Sequence, residues 1–262
     1  MTGPSVTDSF WPPRLAILAG GLALRLRPLT DALPKSLVPV AGEPFLAHQL
    51  RRLRANGLRE IVICCGHLGD QIESFAGNGS AFGLSLAYSH DGEQPLGTGG
   101  ALRAALPLLG SRFLVMYGDS WLTEPFEPVW NAFVESRKPA LMAVFRNQNQ
   151  WGISNVEYSA GSVFRYDKLY LSPQMQHIDY GLEALDAAVL AAWDAPAFDL
   201  SSLLTGLAQH GLLAGYETSR RFYEIGSWSG LRETEALLAA AHSPDGAGSP
   251  VPPPRNPVEV RL

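Results

Sequence analysis

The sequence has 262 residues, 46% of them hydrophobic, and a net charge of −5. This length suits one domain with a sizeable core, and an acidic chain without a basic stripe is not expected to bind nucleic acid. No apolar run approaches the roughly 20 residues of a membrane span, and residues 1–13 lack signal-peptide features. The two cysteines, Cys64 and Cys65, are adjacent. The composition therefore predicts a cytoplasmic protein without disulfides or membrane partners.

Strand and helix signals alternate along the chain. The predicted elements are strand 15–19, helix 44–56, strand 61–65, helix 70–75, strand 84–89, helix 98–109, strand 113–117, helix 126–134, strand 140–145 and a hairpin over 155–166. This order predicts a single α/β domain, with a Rossmann-like, mostly parallel mixed sheet and helices on both faces. We place the domain at 14–241, between a loose N-terminal segment (1–13) and a Pro- and Gly-rich tail (242–262).

The loop after the first predicted strand concentrates features that suit phosphate binding. Gly20-Gly21 follows the strand directly, and Arg25, Arg27 and Lys35 come soon after. Backbone N–H groups near cations suit a triphosphate, whereas the alternative is an ordinary surface loop. The stretch is neither a P-loop nor a dinucleotide fingerprint, because Ala23 stands where the second glycine of that fingerprint would be.

The same stretch carries a longer motif. Residues 18–30 read Leu-Ala-Gly-Gly-Leu-Ala-Leu-Arg-Leu-Arg-Pro-Leu-Thr, and residues 34–37 read Pro-Lys-Ser-Leu. This resembles the opening motif of the sugar-phosphate nucleotidyltransferases, and the resemblance runs on to about Ala241. Short members, such as the heptose 1-phosphate guanylyltransferases and the N-acetylmuramate 1-phosphate uridylyltransferases, look most similar.

Two residues depart from the family pattern. The family has Gly where this chain has Ala23, and Thr or another small polar residue where it has Leu24. If the family's Gly adopts a positive φ, Ala23 adds strain of about 1 kcal/mol or more. If that Gly serves close approach, the Ala23 methyl group intrudes on the phosphates. The sequence leaves both possibilities open.

The resemblance implies a reaction and its partners. A nucleoside monophosphate would pass from a nucleoside triphosphate to a sugar 1-phosphate, giving a nucleotide-sugar and pyrophosphate. Residues 14–150 would form the nucleotide-binding half and residues 151–241 the sugar-phosphate-binding half of a monomer or small homo-oligomer. The alternatives are a glycosyltransferase of similar fold and a non-catalytic regulator that binds nucleotide-sugars.

The resemblance also assigns residues to the nucleotide. Catalytic roles fall on Arg25, Lys35 and Asp119, and nucleotide contacts on Ala19, Gly20, Gly21, Leu22, Arg25, Lys35, Glu93, Gln94, Gly97 and Thr98. A carboxylate at Glu93 suits guanine and an amide at Gln94 suits uracil or thymine, so GTP and UTP are favoured and the base stays open. The alternative for Gly97 and Thr98 is a plain helix cap.

The remaining implied roles concern metal and sugar. The resemblance implies Mg²⁺ held by Asp119 and by Glu224, which replaces the family's Asp. Their alternatives are a turn residue and a surface Glu before a helix. It further implies sugar-phosphate contacts from Asp119, Lys168, Asp179 and Gly181, with a solvated side chain as the alternative for Lys168.

Overall fold

The computed structural model describes residues 11–21, 23–92 and 94–242, apart from the side chain of His242. Leu22 and Glu93 lie outside the described residues, as do most of the predicted segment 1–13 and of the tail 242–262. The strands are β1 (Arg14–Leu18), β2 (Pro39–Val40), β3 (Glu43–Pro44), β4 (Glu60–Cys65), β5 (Ser85–His90), β6 (Arg112–Tyr117), β7 (Ser120–Trp121), β8 (Ala140–Arg146), β9 (Val156–Ser159), β10 (Ser162–Tyr166), β11 (His177–Asp186), β12 (Leu213–Thr218) and β13 (Tyr223–Glu224). The helices are α1 (Phe45–Ala55), α2 (Gly69–Ala76), α3 (Gly97–Leu109), α4 (Phe126–Ser136), α5 (Ala187–Ala191), α6 (Leu200–Gln209) and α7 (Trp228–His242).

A nine-stranded sheet organises the fold, in the order β5-β4-β1-β6-β11-β8-β12-β10-β9. Strands β5, β4, β1 and β6 are mutually parallel, and β8 and β12 form a second parallel pair. Strand β11 runs antiparallel to both β6 and β8, and β10 runs antiparallel to β12 and β9. The predicted α/β class with a mostly parallel mixed sheet is confirmed.

Helices cover both faces of the sheet. In β1, Leu15 and Ile17 face the layer of α1, α2 and α4, while Ala16 and Leu18 face the layer of α3 and α6. Because both faces are buried, the strand reads as a continuous apolar run. Within the residues that the structure describes, none of the helices combines the length and apolar character that a bilayer crossing requires.

Two local features differ from the expectations. Strand β11 was not predicted, because Asp179, Gly181 and Glu183 interrupt its apolar pattern. Capping of α3 by Thr98 is wrong: this helix begins at Gly97 without a side-chain cap. The Thr98 hydroxyl instead accepts a hydrogen bond of 2.8 Å from the Leu200 N–H, at the start of α6.

The cysteines are core residues of β4. Cys64 packs on one face of the sheet and Cys65 on the other. Burial raises the pKa of each thiol to about 12. Both groups therefore stay protonated at neutral pH, which removes them as nucleophiles.

The carboxyl ends of β1, β4 and β6 approach one another closely at glycines. A Cβ added to Gly66 would lie 2.7 Å from the Gly20 carbonyl oxygen, and one added to Gly118 would lie 2.8 Å from the Leu18 carbonyl oxygen. Real Cβ atoms do not come that close to backbone oxygens. The ends of β4 and β6 can therefore meet the end of β1 only because glycine directly follows each of these two strands.

We expect Gly66→Ala to lower the free energy of unfolding by about 1–3 kcal/mol, because the methyl group would force the β1 and β4 ends apart. Gly21→Ala is the matched control in the same region, since nothing lies within 4 Å of a Cβ added there. Urea denaturation of both variants measures the difference. Equal stabilities for the two variants would contradict the close-packing argument.

Candidate functional site

A cavity of about 540 Å³ opens at the carboxyl ends of β1, β4, β5 and β6. The chain runs outward from β1 to β4 and β5, then returns to β6 on the other side of β1. Such a reversal point leaves a crevice, which is where open α/β sheets bind ligands. Seven of the residues predicted to bind the nucleotide or metal line this cavity, namely Ala19, Gly20, Gly21, Lys35, Gly97, Thr98 and Asp119.

The glycine loop after β1 contains a strained alanine. Ala23 has φ 50° and ψ 40°, a left-handed conformation, and precedes a single 3₁₀ turn over Leu24–Leu26. The Thr30 hydroxyl donates a hydrogen bond of 2.9 Å to the Ala23 carbonyl, and Leu26 is fully buried. Of the two possibilities left open, the structure therefore supports the strained backbone: the position requires a positive φ.

The cations of this loop separate into two groups. Arg27 is exposed and pairs with Asp31 at 3.0 Å. Lys35 reaches inward, and its Nζ lies 2.6 Å from Asp119 Oδ2, with the two side chains 19% and 24% exposed. Residues 84 positions apart in the chain are thereby joined at the cavity wall.

Arg25, Asp119 and Glu224 converge around Gly226. A Cβ at Gly226 would lie 2.6 Å from Glu224 Oε2 and 3.1 Å from both Arg25 Nη2 and Asp119 Oδ2. The approach follows from the antiparallel pairing of β7 with β13 and from a 2.9 Å hydrogen bond from the Ile225 N–H to the Asp119 carbonyl. The fold thus brings the predicted metal ligands and one predicted catalytic cation together.

The Glu224 carboxylate also has local partners. It accepts hydrogen bonds from the Gly226 N–H and, at 2.6 Å, from the Ser227 hydroxyl. Asp119 and Glu224 supply carboxylate oxygens, the hard ligands that Mg²⁺ prefers, and such sites are usually completed by phosphate oxygens and water. The described residues contain no cluster of three or more metal-ligating side chains. The donor set therefore fits an ion carried in on a substrate.

The opposite wall is the start of α3. The N–H groups of Gly99 and Gly100 donate to the Phe198 carbonyl, at 2.9 and 3.2 Å. Gly97 has φ +72°, and a Cβ there would lie 2.5 Å from the same carbonyl oxygen, so only glycine fits. Gln94 is exposed beside this wall.

Sequence reasoning missed Asp91, which follows β5 and lines the cavity. Burial raises the pKa of its carboxyl, while a backbone hydrogen bond from Leu96 opposes that rise. The signal was available in the sequence, since Asp91 comes soon after the predicted strand 84–89, and ligands in open α/β sheets bind beyond the carboxyl ends of strands. Tyr117 and Asp199 also line the cavity without having been predicted.

The predicted sugar-side residues gather around Tyr117. The Lys168 Nζ lies 5.7 Å from the ring centroids of both Tyr117 and Tyr166. Asp179 accepts hydrogen bonds from the Tyr166 hydroxyl at 2.8 Å and from the Gly181 N–H at 2.9 Å. Because Tyr117 lines the cavity, these residues adjoin it on the side away from β4.

We expect Ala23→Gly to raise the free energy of unfolding by about 0.5–1 kcal/mol, because glycine removes the left-handed strain but loses more backbone entropy. Ala160→Gly is the matched control, since Ala160 also has a positive φ, 47°, in the turn between β9 and β10. Similar gains in urea denaturation would confirm backbone strain as the cause. A loss of stability in Ala23→Gly alone would show that the methyl group makes a favourable contact.

Comparisons with known proteins agree with the geometry. The N-acetylmuramate alpha-1-phosphate uridylyltransferase of Neisseria meningitidis serogroup B is 50% identical over 104 residues, which cover 39% of this chain and 45% of that protein. The low-salt glycan biosynthesis nucleotidyltransferase Agl11 of Haloferax volcanii is 31% identical over 230 residues, which cover 86% of this chain and 64% of that protein. The chain spans less than two thirds of the length of either relative.

A solved structure shares the fold. HddC from Yersinia pseudotuberculosis superposes with a TM-score of 0.73 at 21% identity, covering 86% of this chain and 99% of that one. The sequence model of the family described as Nucleotidyl transferase matches residues 15–155, which include the glycine loop, Lys35, α3 and Asp119. The resemblance inferred from residues 18–37 is confirmed, and the chain belongs to the nucleotidyl transferase family.

Proposed function

We propose that this protein transfers a nucleoside monophosphate from a nucleoside triphosphate to a sugar 1-phosphate, releasing pyrophosphate. The observation that carries the proposal is the pairing of Lys35 with Asp119 at the cavity wall, with Arg25 and Glu224 close to Asp119 around Gly226. Family membership supports it. The two relatives described above are named as a uridylyltransferase and a nucleotidyltransferase.

The triphosphate would lie along the glycine loop. Gly20 and Gly21 line the cavity and leave room for backbone N–H groups to meet phosphate oxygens. Lys35 would hold phosphates near the reacting centre, and Arg25 would neutralise charge on the departing pyrophosphate. An oxygen of the sugar phosphate then forms the new bond to the α-phosphorus as the bond to pyrophosphate breaks.

No strong general base is needed for this reaction, because the attacking phosphate is already anionic. Catalysis then consists of positioning and charge neutralisation. Lys168 would hold the attacking phosphate, while Asp179 and Gly181 would contact the sugar. Lys168 and Asp179 both lie beside Tyr117 and Tyr166, so the nucleophile would approach from that side of the cavity.

Asp119 and Glu224 would hold Mg²⁺, which supplies charge neutralisation and orientation to the phosphates when bound. Asp119 would exchange its ion pair with Lys35 for the metal, which frees the Lys35 ammonium for phosphate oxygens. Glu224 would be the second residue to hold the ion, and its carboxylate would be oriented by the hydrogen bonds from the Gly226 N–H and the Ser227 hydroxyl.

The proposal also covers the base, the compartment and the assembly state. GTP and UTP are favoured, with Gln94 and Glu93 as candidates to contact the base edge. Free, buried Cys64 and Cys65 suit a cytoplasmic setting. We expect no nucleic-acid or membrane partner, and a monomer or small homo-oligomer.

Pyrophosphate release from five nucleoside triphosphates against a panel of sugar 1-phosphates tests the function. We expect turnover with one pairing or a few related pairings, and none without the sugar phosphate. Nucleotide-sugar hydrolysis without any pyrophosphorolysis would favour a glycosyltransferase. Tight nucleotide-sugar binding without turnover would favour a regulator.

Arg25→Ala should lower turnover about 100-fold or more, as loss of one preorganised charge stabiliser does. Arg27→Ala is the matched control: Arg27 lies in the same loop, is exposed and pairs with Asp31. We expect that control to keep near-parent rates under saturating substrate. Near-normal turnover in folded Arg25→Ala would remove this residue from the mechanism.

Glu224→Gln should raise the Mg²⁺ concentration that gives half-maximal rate, because the amide keeps the size of the side chain but loses its charge. Asp119→Asn should behave similarly, and the double variant should be little worse than either single variant, since groups acting as a unit are non-additive. The exposed Glu235→Gln is the control for an unspecific charge effect. An unchanged Mg²⁺ dependence in Glu224→Gln would show that Glu224 is not at the metal.

A further inference from the structure

Glu183 is a carboxyl group buried inside the sheet. It is fully inaccessible to solvent, and its register on β11 places it opposite Val115 of β6 and Met142 of β8. Both neighbours belong to the apolar layer beneath α3 and α6. An ionised carboxylate in such surroundings is strongly destabilising unless it is paired. The proposed reaction does not itself use this residue.

The hydrogen-bonding surroundings of Glu183 indicate its protonation state. Across residues 11–21, 23–92 and 94–242, no N–H or hydroxyl group donates to either of its oxygens. The neighbouring acidic group is the Asp179 carboxyl, which raises the pKa of Glu183 through its charge and through a carboxyl–carboxyl hydrogen bond. Two carboxyl groups can share a hydrogen bond only when one of them carries a proton.

The proton belongs on Glu183. Asp179 already accepts hydrogen bonds from the Tyr166 hydroxyl and the Gly181 N–H, which stabilise negative charge on it. Glu183 has neither of these donors, and burial together with the nearby Asp179 charge raises its pKa well above the usual range. A protonated Glu183 would supply Asp179 with a third donor.

The backbone of β11 is shaped to create this pair. Asp179 lies opposite Val144 and Glu183 lies opposite Met142. Four residue steps along β11 therefore match only two along β8. Gly181, at φ +85°, lies inside the resulting bulge. A regular strand would separate the two side chains by about 13 Å along its axis. The bulge therefore brings two carboxyl groups together on one face.

The charged and titratable surroundings of the pair come from three elements. Tyr117 projects from β6, Tyr166 from β10, and Lys168 from the segment after β10. Strand β8 presents Met142 and Val144, and α6 presents buried leucines to this layer. Lys168 is the cation that acts on Glu183, and its positive charge opposes the rise in the Glu183 pKa.

We propose that Glu183 is a positioning residue: as a neutral hydrogen-bond donor it fixes the Asp179 carboxylate on the sugar side of the cavity. Its neutrality also leaves the Lys168 ammonium available to the phosphate of the sugar substrate. An ionised Glu183 would compete with that phosphate for Lys168. This role rests on the proposed function, because it assumes that Asp179 and Lys168 meet a sugar phosphate.

Thermal unfolding against pH tests the protonation state without any assay of activity. Glu183→Gln keeps the shape and a donor but cannot ionise. In the parent, folding takes up a proton at every pH between the unfolded and folded pKa values of Glu183, so that its stability falls as pH rises through this window. We expect parent and Gln variant to melt alike at acid pH, and the variant to melt at increasingly higher temperature as pH rises.

The exposed Glu135→Gln variant removes the same charge and is the control, for which we expect no such divergence. A Glu183→Gln variant that melts below the parent at neutral pH would overturn the proposal. That outcome would mean that Glu183 is ionised and paired with Lys168.

Kinetics test the positioning role. Once a reactive substrate pair is known, Glu183→Ala should raise the KM for the sugar phosphate about tenfold or more, with little change in the KM for the triphosphate. Glu183→Gln should restore the KM to within about twofold of the parent. A Gln variant as impaired as the Ala variant would overturn the positioning role. Absence of turnover in the parent with every substrate pair would instead count against the proposed function, while the melting series still decides the state of Glu183.

Discussion

The close approach of three parallel strand ends is the constraint on which the site depends. Gly66 and Gly118 bring the ends of β4 and β6 against the end of β1 at distances that exclude a side chain. The order of the strands reverses at β1, because the chain adds β4 and β5 on one side of it and β6 on the other. The crevice therefore opens where these strand ends meet. The glycine loop, Asp119 and the start of α3 can face one cavity only because nothing bulky separates the strands.

Charge compensation is the second organising feature. The chain has a net charge of −5, yet Lys35 pairs with the Asp119 carboxylate at the cavity wall, and Arg25 lies close to Asp119 and Glu224 around Gly226. A partly buried cation beside a carboxylate keeps both groups charged without leaving either unpaired. Under the proposed function, Lys35 would turn to the phosphates and Asp119 would hold Mg²⁺ when substrate binds, so that no isolated charge has to be buried beforehand.

On the sugar side of the cavity, a carboxylate is stabilised by hydrogen-bond donors. There the charged carboxylate, Asp179, lies on a bulged strand and takes its donors from Tyr166 and from the backbone of Gly181. Glu183 lies deeper, where water cannot reach it. A buried carboxyl group that keeps its proton can act as a donor, and this lets an acidic residue support a neighbouring negative charge.

The amino-acid sequence by itself determined the alternation of strands and helices and the glycine loop, and it predicted Arg25, Lys35 and Asp119 as a phosphate-site group. These features are local, because a buried parallel strand, a helix periodicity and a motif can each be recognised within about 20 residues. Tertiary structure alone decided the left-handed backbone of Ala23, the pairing of Lys35 with Asp119, the placement of Asp91 at the cavity and the insertion of β11 between β6 and β8. Each of those depends on pairing or packing between segments distant in the chain. Asp179 and Glu183 show most clearly what the sequence could not predict. They lie four positions apart in a stretch with polar interruptions, and only the register of β11 against β8 brings the partly buried Asp179 and the buried Glu183 together.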